Sequence, residues 1–224
     1  MHYPHKSRIM YKTVIFDLDG TLLDTLEDLA DSVNEMLRRF SCPERSLAEV
    51  RQFVGNGMKK LVERSVSADF DQENFDSAYE FFRSSYSKNM QNKTRPYEGI
   101  TACLEELEKL GIKTIVTSNK NDDAVKKLCR EYFGERITLA VGAKEGIPTK
   151  PSPEMVFYAI EEIGAEKENC IFIGDSDTDI LTAKNAGLKS IGVLWGFRDR
   201  EVLEKAEADY IISHPRELMK IVQE

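Results

Sequence analysis

Val14-Ile15-Phe16-Asp17-Leu18-Asp19-Gly20-Thr21-Leu22 runs a β-prone apolar stretch into two carboxylates one residue apart and then into a Gly-Thr pair. The apolar stretch predicts a buried strand, and the glycine its exit turn. Side chains alternate faces along a strand, so Asp17 and Asp19 leave on one side while Phe16 and Leu18 turn to the other. Two like charges that close repel by roughly 1–4 kcal/mol at about 4 Å, depending on the local dielectric. The pair therefore predicts either a cation that holds both carboxylates or a proton that moves between them.

Downstream of this strand the pattern becomes helical. Leu26, Leu29, Ala30, Val33, Met36, Leu37 and Phe40 follow the spacing of one helix face. Asp24 or Thr25 is a candidate cap, and Ser41-Cys42-Pro43 a stop. Further helical segments are expected over 46–53, from Met58 through Val66, and over 71–90, where Phe75, Ala78, Tyr79, Phe82 and Tyr86 share a side. Residues 24–92 thus read as all-helical. Beyond Pro96 helices alternate with apolar strands, expected at 112–117, 137–141, 169–174, 190–194 and 210–212. That alternation predicts an α/β fold with a doubly wound parallel sheet. The expected organisation is an α/β core built from residues 10–20 and 97–224, interrupted by a helical insertion over 24–92. An insertion of that length packs as a unit of its own, and its hinge at the Asp pair suits a lid. Residues 1–9 read as a disordered leader, with Met10 as an alternative start.

The chain has 224 residues, 41% of them hydrophobic, enough for the core of one or two domains. A net charge of −8 without a basic stripe argues against a nucleic-acid partner. It is compatible with an anionic substrate, because a few lysines and one metal ion reverse the potential of a single cleft. No apolar run approaches the roughly 18–20 residues that span a bilayer. The four cysteines, at 42, 103, 129 and 170, form no C-x-x-C pair, and the three histidines lie at 2, 5 and 214, which argues against zinc. Cys103 and Cys170 read as small buried hydrophobes. Reduced thiols and the lack of an export signal point to the cytoplasm.

Three further polar clusters fall where such a sheet presents its C-terminal edge, the usual place for ligands. Thr117-Ser118-Asn119-Lys120 brings a hydroxyl and backbone N–H groups to an expected strand-to-helix turn; the competing reading is an ordinary N-cap. Lys150 lies in Lys150-Pro151-Ser152-Pro153-Glu154, where the prolines restrict the backbone around a candidate counter-charge; the competing reading is a solvated loop lysine. Ile171-Phe172-Ile173-Gly174-Asp175-Ser176-Asp177-Thr178-Asp179 repeats the theme of an apolar strand entering acidic residues; the competing reading is helix capping. Asp17 and Asp175 on neighbouring strands would give Mg²⁺ the hard oxygen ligands it requires. Four such clusters at four strand ends are far less expected by coincidence than any one alone.

Together these residues resemble the haloacid dehalogenase superfamily. The likeness rests on D-L-D-G-T at 17–21, Ser118-Asn119, Lys150 in K-P-x-P, and G-D-S-x-x-D at 174–179, in the family's order. Within it the chain is similar to the phosphoglycolate phosphatase-like branch, through Val54-Gly55-Asn56-Gly57, Ser118-Asn119-Lys120, Trp195-Gly196-Phe197-Arg198 and Ala208-Asp209-Tyr210. Thr21 stands where the phosphatases of this group usually carry Thr and the sugar-phosphate mutases tend to carry Val. The resemblance implies a haloacid dehalogenase-like core with strand order 5-4-1-2-3, the nucleophile strand central, and an inserted all-helical cap domain. It also implies a Mg²⁺-dependent phosphatase that acts on a small phosphorylated metabolite through an aspartyl-phosphate.

In that scheme Asp17 is the nucleophile and Asp19 the general acid, then base. Mg²⁺ takes Asp17, the backbone carbonyl of Asp19 and Asp175, with Asp179 bound through water or orienting the others. Ser118, Asn119 and Lys150 hold the transferring phosphoryl group, while Gly20 and Thr21 shape the turn beside it. Gly55, Asn56 and Gly57 are candidates to offer backbone N–H groups to a second anionic group, the competing reading being a plain helix-start turn; Lys120 and Arg198 are candidates to face the substrate, the competing reading being a solvated cation. Four carboxylates against one divalent ion and Lys150 make the metal obligatory in this scheme. The expected substrate is phosphoglycolate-like. Pyrophosphatase, sugar-phosphate phosphatase and phosphomutase are the alternatives within the superfamily, and a phospho-Asp receiver domain is the non-enzyme alternative. A monomer or homodimer is expected, with no nucleic-acid or membrane partner.

Overall fold

The structure is a computed structural model that describes residues 10–223; the leader expected over 1–9 lies outside the described residues. Strand β1 (Thr13–Phe16) is buried along its whole length. It lies between β4 (Lys113–Asn121) and β6 (Cys170–Gly174) in a six-stranded sheet of order β5-β4-β1-β6-β7-β8. The flanking strands are β5 (Leu139–Ala143), β7 (Lys189–Val193) and β8 (Tyr210–Ile212), and every pairing is parallel. In register, Ile15 sits between Ile115 and Phe172. The expected order 5-4-1-2-3 is present, extended by one edge strand, β8.

Period-2 alternation divides the core between the two faces of this sheet. Val14, Phe16, Val116, Ile171 and Ile173 join one apolar cluster with helices α5 (Ile100–Lys109), α6 (Asp122–Phe133) and α10 (Leu218–Val222). Ile15, Ile115 and Phe172 join the other with α7 (Glu154–Glu162) and α8 (Asp177–Ala186). α9 (Arg200–Lys205) follows β7. Because β1, β4 and β6 are adjacent and parallel, residues at their C-terminal ends are neighbours although far apart in the chain.

Between the second and third strands the chain is helical. α1 (Leu26–Arg39) buries Leu29, Val33, Met36 and Leu37 and packs on α2 (Leu47–Phe53), α3 (Met58–Ser65) and α4 (Phe75–Asn89). These helices share a continuous apolar cluster with one face of the sheet. The chain leaves and re-enters through a two-stranded antiparallel ribbon, β2 (Leu23–Asp24) with β3 (Arg95–Pro96). Asp28, only 1% exposed, fastens this neck by accepting backbone N–H bonds from Lys93 (3.0 Å) and Thr94 (2.8 Å). No helix among the described residues is long and apolar enough to cross a membrane.

The differences from expectation are local. The ribbon escaped detection because two-residue strands have no periodicity to read. β5 begins at Leu139 rather than 137. The segment that starts α4 is a 3₁₀ turn over Gln72–Asn74, where the Asp71 carboxylate accepts the Glu73 N–H. β4 runs to Asn121, so Ser118, Asn119 and Lys120 belong to the strand rather than to the turn after it. A register irregularity between Thr117 and Asn121 lets pairing with β5 resume at Ala143.

Removing the buried acceptor in Asp28→Ala leaves two neck N–H groups unpaired. Bonds to charged acceptors contribute about 1.5–3 kcal/mol each, so the variant should lose about 3 kcal/mol of unfolding free energy in urea titration. A loss below about 0.5 kcal/mol, the range of an ordinary surface change, would show that the neck does not depend on this carboxylate.

Candidate active site

The ladder continues one residue past β1: the Asp17 N–H donates to the Ile173 carbonyl at 2.9 Å, which fixes the backbone from which its carboxylate projects. The chain then reverses tightly, with the Leu22 and Leu23 N–H groups donating to the Leu18 carbonyl. Gly20 makes this turn at φ +92°, and a Cβ there would lie 2.4 Å from Asp175 Oδ2. A side chain at position 20 is thus excluded both by backbone conformation and by the neighbouring carboxylate. Thr21 Oγ1 lies 3.4 Å from Asp175 Oδ1 and its carbonyl accepts from Trp195 Nε1 at 2.9 Å.

β6 delivers Asp175 and then α8. Ser176 caps α8: its hydroxyl accepts from the Asp179 N–H, and Asp179 Oδ2 accepts from the Ser176 N–H (3.1 Å) and hydroxyl (2.6 Å). The capping role read as a competitor for Asp179 is therefore real, yet it occupies one oxygen only. The other, Oδ1, accepts from Lys150 Nζ at 2.7 Å, and the same ammonium donates to Asp17 Oδ1 at 2.6 Å. Lys150 is 5% exposed. Asn119 clamps its backbone from both sides, accepting the Lys150 N–H (2.8 Å) and donating to its carbonyl (3.0 Å). The solvated-loop reading of Lys150 is excluded by this burial.

Asp17, Asp175 and Asp179 each present an oxygen within 4.8 Å of the others. Burial pushes the Asp17 carboxyl well above the ordinary carboxylate range, reinforced by Asp179 and Asp175 and only partly opposed by Lys150. Burial and then Asp179 push Asp175 up to about 7, against the Phe197 N–H that donates to its Oδ2 at 2.7 Å. Lys150 is held above its ordinary value: burial disfavours the ammonium, but Asp17 and Asp179 outweigh it. Three buried carboxylates with one ammonium among them are short of positive charge, and their donors are hard oxygens. This donor set suits a hard divalent cation.

Asp19 lines the same cavity but lies outside that trio. Its Oδ1 accepts from Lys120 Nζ at 2.6 Å, and Lys120 also donates to the Tyr86 phenol oxygen at 2.7 Å. Lys120 is 5% exposed, so the solvated-cation reading fails for it as well. The Ser118 hydroxyl accepts the Lys120 N–H at 3.2 Å.

These groups enclose a cavity of about 60 Å³. Asp17, Asp19, Ser118, Asn119, Lys120, Lys150, Asp175 and Asp179 line it, with Gly55, Gly57 and Arg198 at the helical side. Leu29, Val54, Met58, Leu61 and Phe197 supply the apolar wall. Gly20 and Thr21 lie behind Asp175 rather than on the cavity. The side chain of Asn56 is taken up by protein contacts: its amide donates to Thr178 Oγ1 (3.1 Å) and accepts from Arg64 (2.8 Å), tying the turn to α8.

Arg198 lines the cavity while its guanidinium is bound to protein carbonyls. Its guanidinium donates to the carbonyls of Arg51 (2.9 Å), Gln52 (3.4 Å) and Val54 at the end of α2, where cations complement the helix dipole. Arg51 answers by donating to the Gly196 carbonyl and to Asp199, both at 3.2 Å. The loop 195–199 is thereby clasped to the helical segment. Gly196 is packed so closely that a Cβ would lie 2.3 Å from Asp175 Cβ. Sequence reading missed the Phe197 N–H, which has no side-chain signal, and Tyr86, which it read only as part of an apolar stripe.

Comparison with known proteins identifies the family. The family model described as haloacid dehalogenase-like hydrolase matches residues 14–193. The phosphoglycolate phosphatase of Aquifex aeolicus is 33% identical over 94% of this chain and 96% of its own length, and that of Neisseria meningitidis is 34% identical over 95% and 94%. The crystal structure of a predicted phosphoglycolate phosphatase from Haemophilus somnus superposes with a TM-score of 0.89 at 27% identity, over 96% of this chain and 99% of that one.

The charge shortage has a pH signature. Asp175 is raised from 3.8 in the unfolded chain to about 7 in the fold. Its neutral form therefore favours the fold fully below pH ~4, and that contribution is lost as pH rises through about 7. In chelator, the melting temperature should fall between pH 5 and pH 8. A divalent cation should restore it, by more at pH 8 than at pH 5. Equal increments at both pH values would count against cation binding at these carboxylates.

Proposed function

Since the chain belongs to the haloacid dehalogenase-like hydrolases and is a phosphatase of their phosphoglycolate phosphatase-like branch, we propose that it hydrolyses a small carboxylate-bearing phosphomonoester, 2-phosphoglycolate or a close analogue, through a phosphoryl group carried on Asp17. The observation that carries this reading is the joint presentation, in one small cavity, of Asp17 paired with Lys150 and of Asp19 paired with Lys120.

In the first step a carboxylate oxygen of Asp17 attacks phosphorus, the bond to the ester oxygen breaks, and Asp19 gives its proton to the departing alkoxide. In the second, Asp19 takes a proton from water, the water oxygen bonds to phosphorus, and the acyl-phosphate bond breaks to regenerate the Asp17 carboxylate. Protons balance over the cycle. Lys150 and the Ser118 hydroxyl stabilise charge on the transferring group, and Asn119 keeps Lys150 in place by clamping its backbone. Asp17, Asp175 and Asp179, together with the Asp19 backbone carbonyl, are the groups to hold Mg²⁺. When bound it neutralises the carboxylate cluster and the phosphoryl oxygens.

Charge supports this assignment. Asp19 is paired with Lys120, whereas Asp17, Asp175 and Asp179 share the single ammonium of Lys150, three carboxylates against one cation, and one divalent cation makes up the difference. The helical segment over 24–92 serves as the cap and residues 10–20 with 97–224 as the catalytic core. The cavity of about 60 Å³ is far below the roughly 300–1,000 Å³ of clefts that hold drug-sized ligands. That size favours a two- or three-carbon phosphate over a hexose phosphate.

Asp17→Asn should lower turnover of 2-phosphoglycolate by more than about 10⁴-fold, the loss seen when a nucleophile is removed, while far-UV circular dichroism and cooperative melting persist. Near-normal turnover in that variant would end the nucleophile assignment. In a screen for phosphate release with Mg²⁺, 2-phosphoglycolate should exceed glucose 6-phosphate and pyrophosphate in kcat/KM by about 100-fold or more, a difference of roughly 3 kcal/mol. Preference for a hexose phosphate would refute the size argument, and full activity in excess chelator would refute the metal.

A further inference from the structure

We propose that Lys120 is a positioning residue for Asp19, held in place by Tyr86 of the helical segment, rather than a cation for the substrate. The inference rests on the reading of Asp19 as the group that exchanges the proton. Lys120 Nζ has three protons to donate; one goes to Asp19 Oδ1 at 2.6 Å and another to the Tyr86 phenol oxygen at 2.7 Å. Tyr86 is itself placed: it is 2% exposed and its ring is stacked on Phe82 at 5.8 Å with an interplanar angle of 3°. The ammonium also lies 4.8 Å from the Tyr86 ring centroid, within reach of its negative face.

The consequence for Asp19 is directional. Its side chain springs from the tight turn after β1, 101 residues from Lys120 in the chain. With Oδ1 taken by the ammonium, Oδ2 has no hydrogen-bond partner among the described residues and is the oxygen left to exchange a proton. A buried ion pair of this kind is a poor source of stability but a good source of fixed geometry. The third partner is what makes the arrangement informative. Tyr86 belongs to α4, so the segment that covers the cavity reaches through Lys120 to a carboxylate of the sheet. Cap placement and acid–base geometry are thereby joined by two hydrogen bonds.

The test separates leaving groups. An alkoxide must be protonated as it departs, whereas 4-nitrophenolate leaves unaided; water attack needs the base with either ester. Lys120→Met should lower kcat for 2-phosphoglycolate by about 100-fold, within the usual 10²–10⁴ contribution of acid–base catalysis, with KM changed less than about threefold. With 4-nitrophenyl phosphate in stopped flow, the same variant should release one equivalent of nitrophenolate at a rate within about fivefold of wild type, then turn over about 100-fold more slowly. Tyr86→Phe removes one acceptor oxygen and should show the same split, reduced to roughly tenfold. It decides the matter if the lysine variant does not fold.

Asp19→Asn is the reference. If it lacks the split, the acid–base reading of Asp19 fails, and this inference with it. If it shows the split while both Lys120→Met and Tyr86→Phe lack it, only the positioning role is overturned. A raised KM with unchanged kcat in Lys120→Met would likewise overturn it, and would return Lys120 to the substrate.

Discussion

The structure depends on keeping carboxylates buried side by side. Asp17, Asp175 and Asp179 present oxygens within 4.8 Å of one another, each nearly inaccessible to water. Such a cluster is unstable on its own, because desolvation and mutual repulsion both oppose ionisation. Lys150 relieves part of this by bridging two of the three, and the cluster remains short of positive charge. Much of the surrounding architecture holds this frustrated arrangement in place. Asn119 clamps the Lys150 backbone, the α8 cap fixes one Asp179 oxygen, and the Phe197 N–H fixes one of Asp175.

A second theme is that the helical segment is not simply laid over the sheet. Arg198 binds carbonyls at the end of α2, while Arg51 from α2 binds the Gly196 carbonyl. The loop that carries both partners also supplies the amide on Asp175. Displacing α2 therefore disturbs a carboxylate of the cluster through a continuous set of hydrogen bonds. Tyr86 makes an analogous connection through Lys120 to Asp19. Asp175 and Asp19 are thus each tied through hydrogen bonds to the helical segment.

Much of the fold was legible because its signals are local. The buried strand before Asp17, the amphipathic spacing of α1 and the later alternation of strands and helices need only a short window of residues. The acidic positions were legible for the same reason, as each follows an apolar strand. The ribbon Leu23–Asp24 with Arg95–Pro96 was not, since two-residue strands carry no pattern. Ser118, Asn119 and Lys120 were assigned to a turn because their polarity resembles one, whereas pairing with β5 beyond a register break keeps them in the strand.

By itself the sequence determined which chemical groups stand at the strand ends and that those strands lie parallel, because periodicity and side-chain type are properties of neighbouring residues. Only the tertiary structure decided what each group touches: that Lys120 meets Asp19 and Tyr86, that Arg198 serves helix carbonyls, that Asn56 turns to Thr178, and that a backbone amide from residue 197 holds Asp175. Those partners lie 22 to 147 residues apart, on separate elements, and their meeting is set by how the elements pack, which no local pattern encodes.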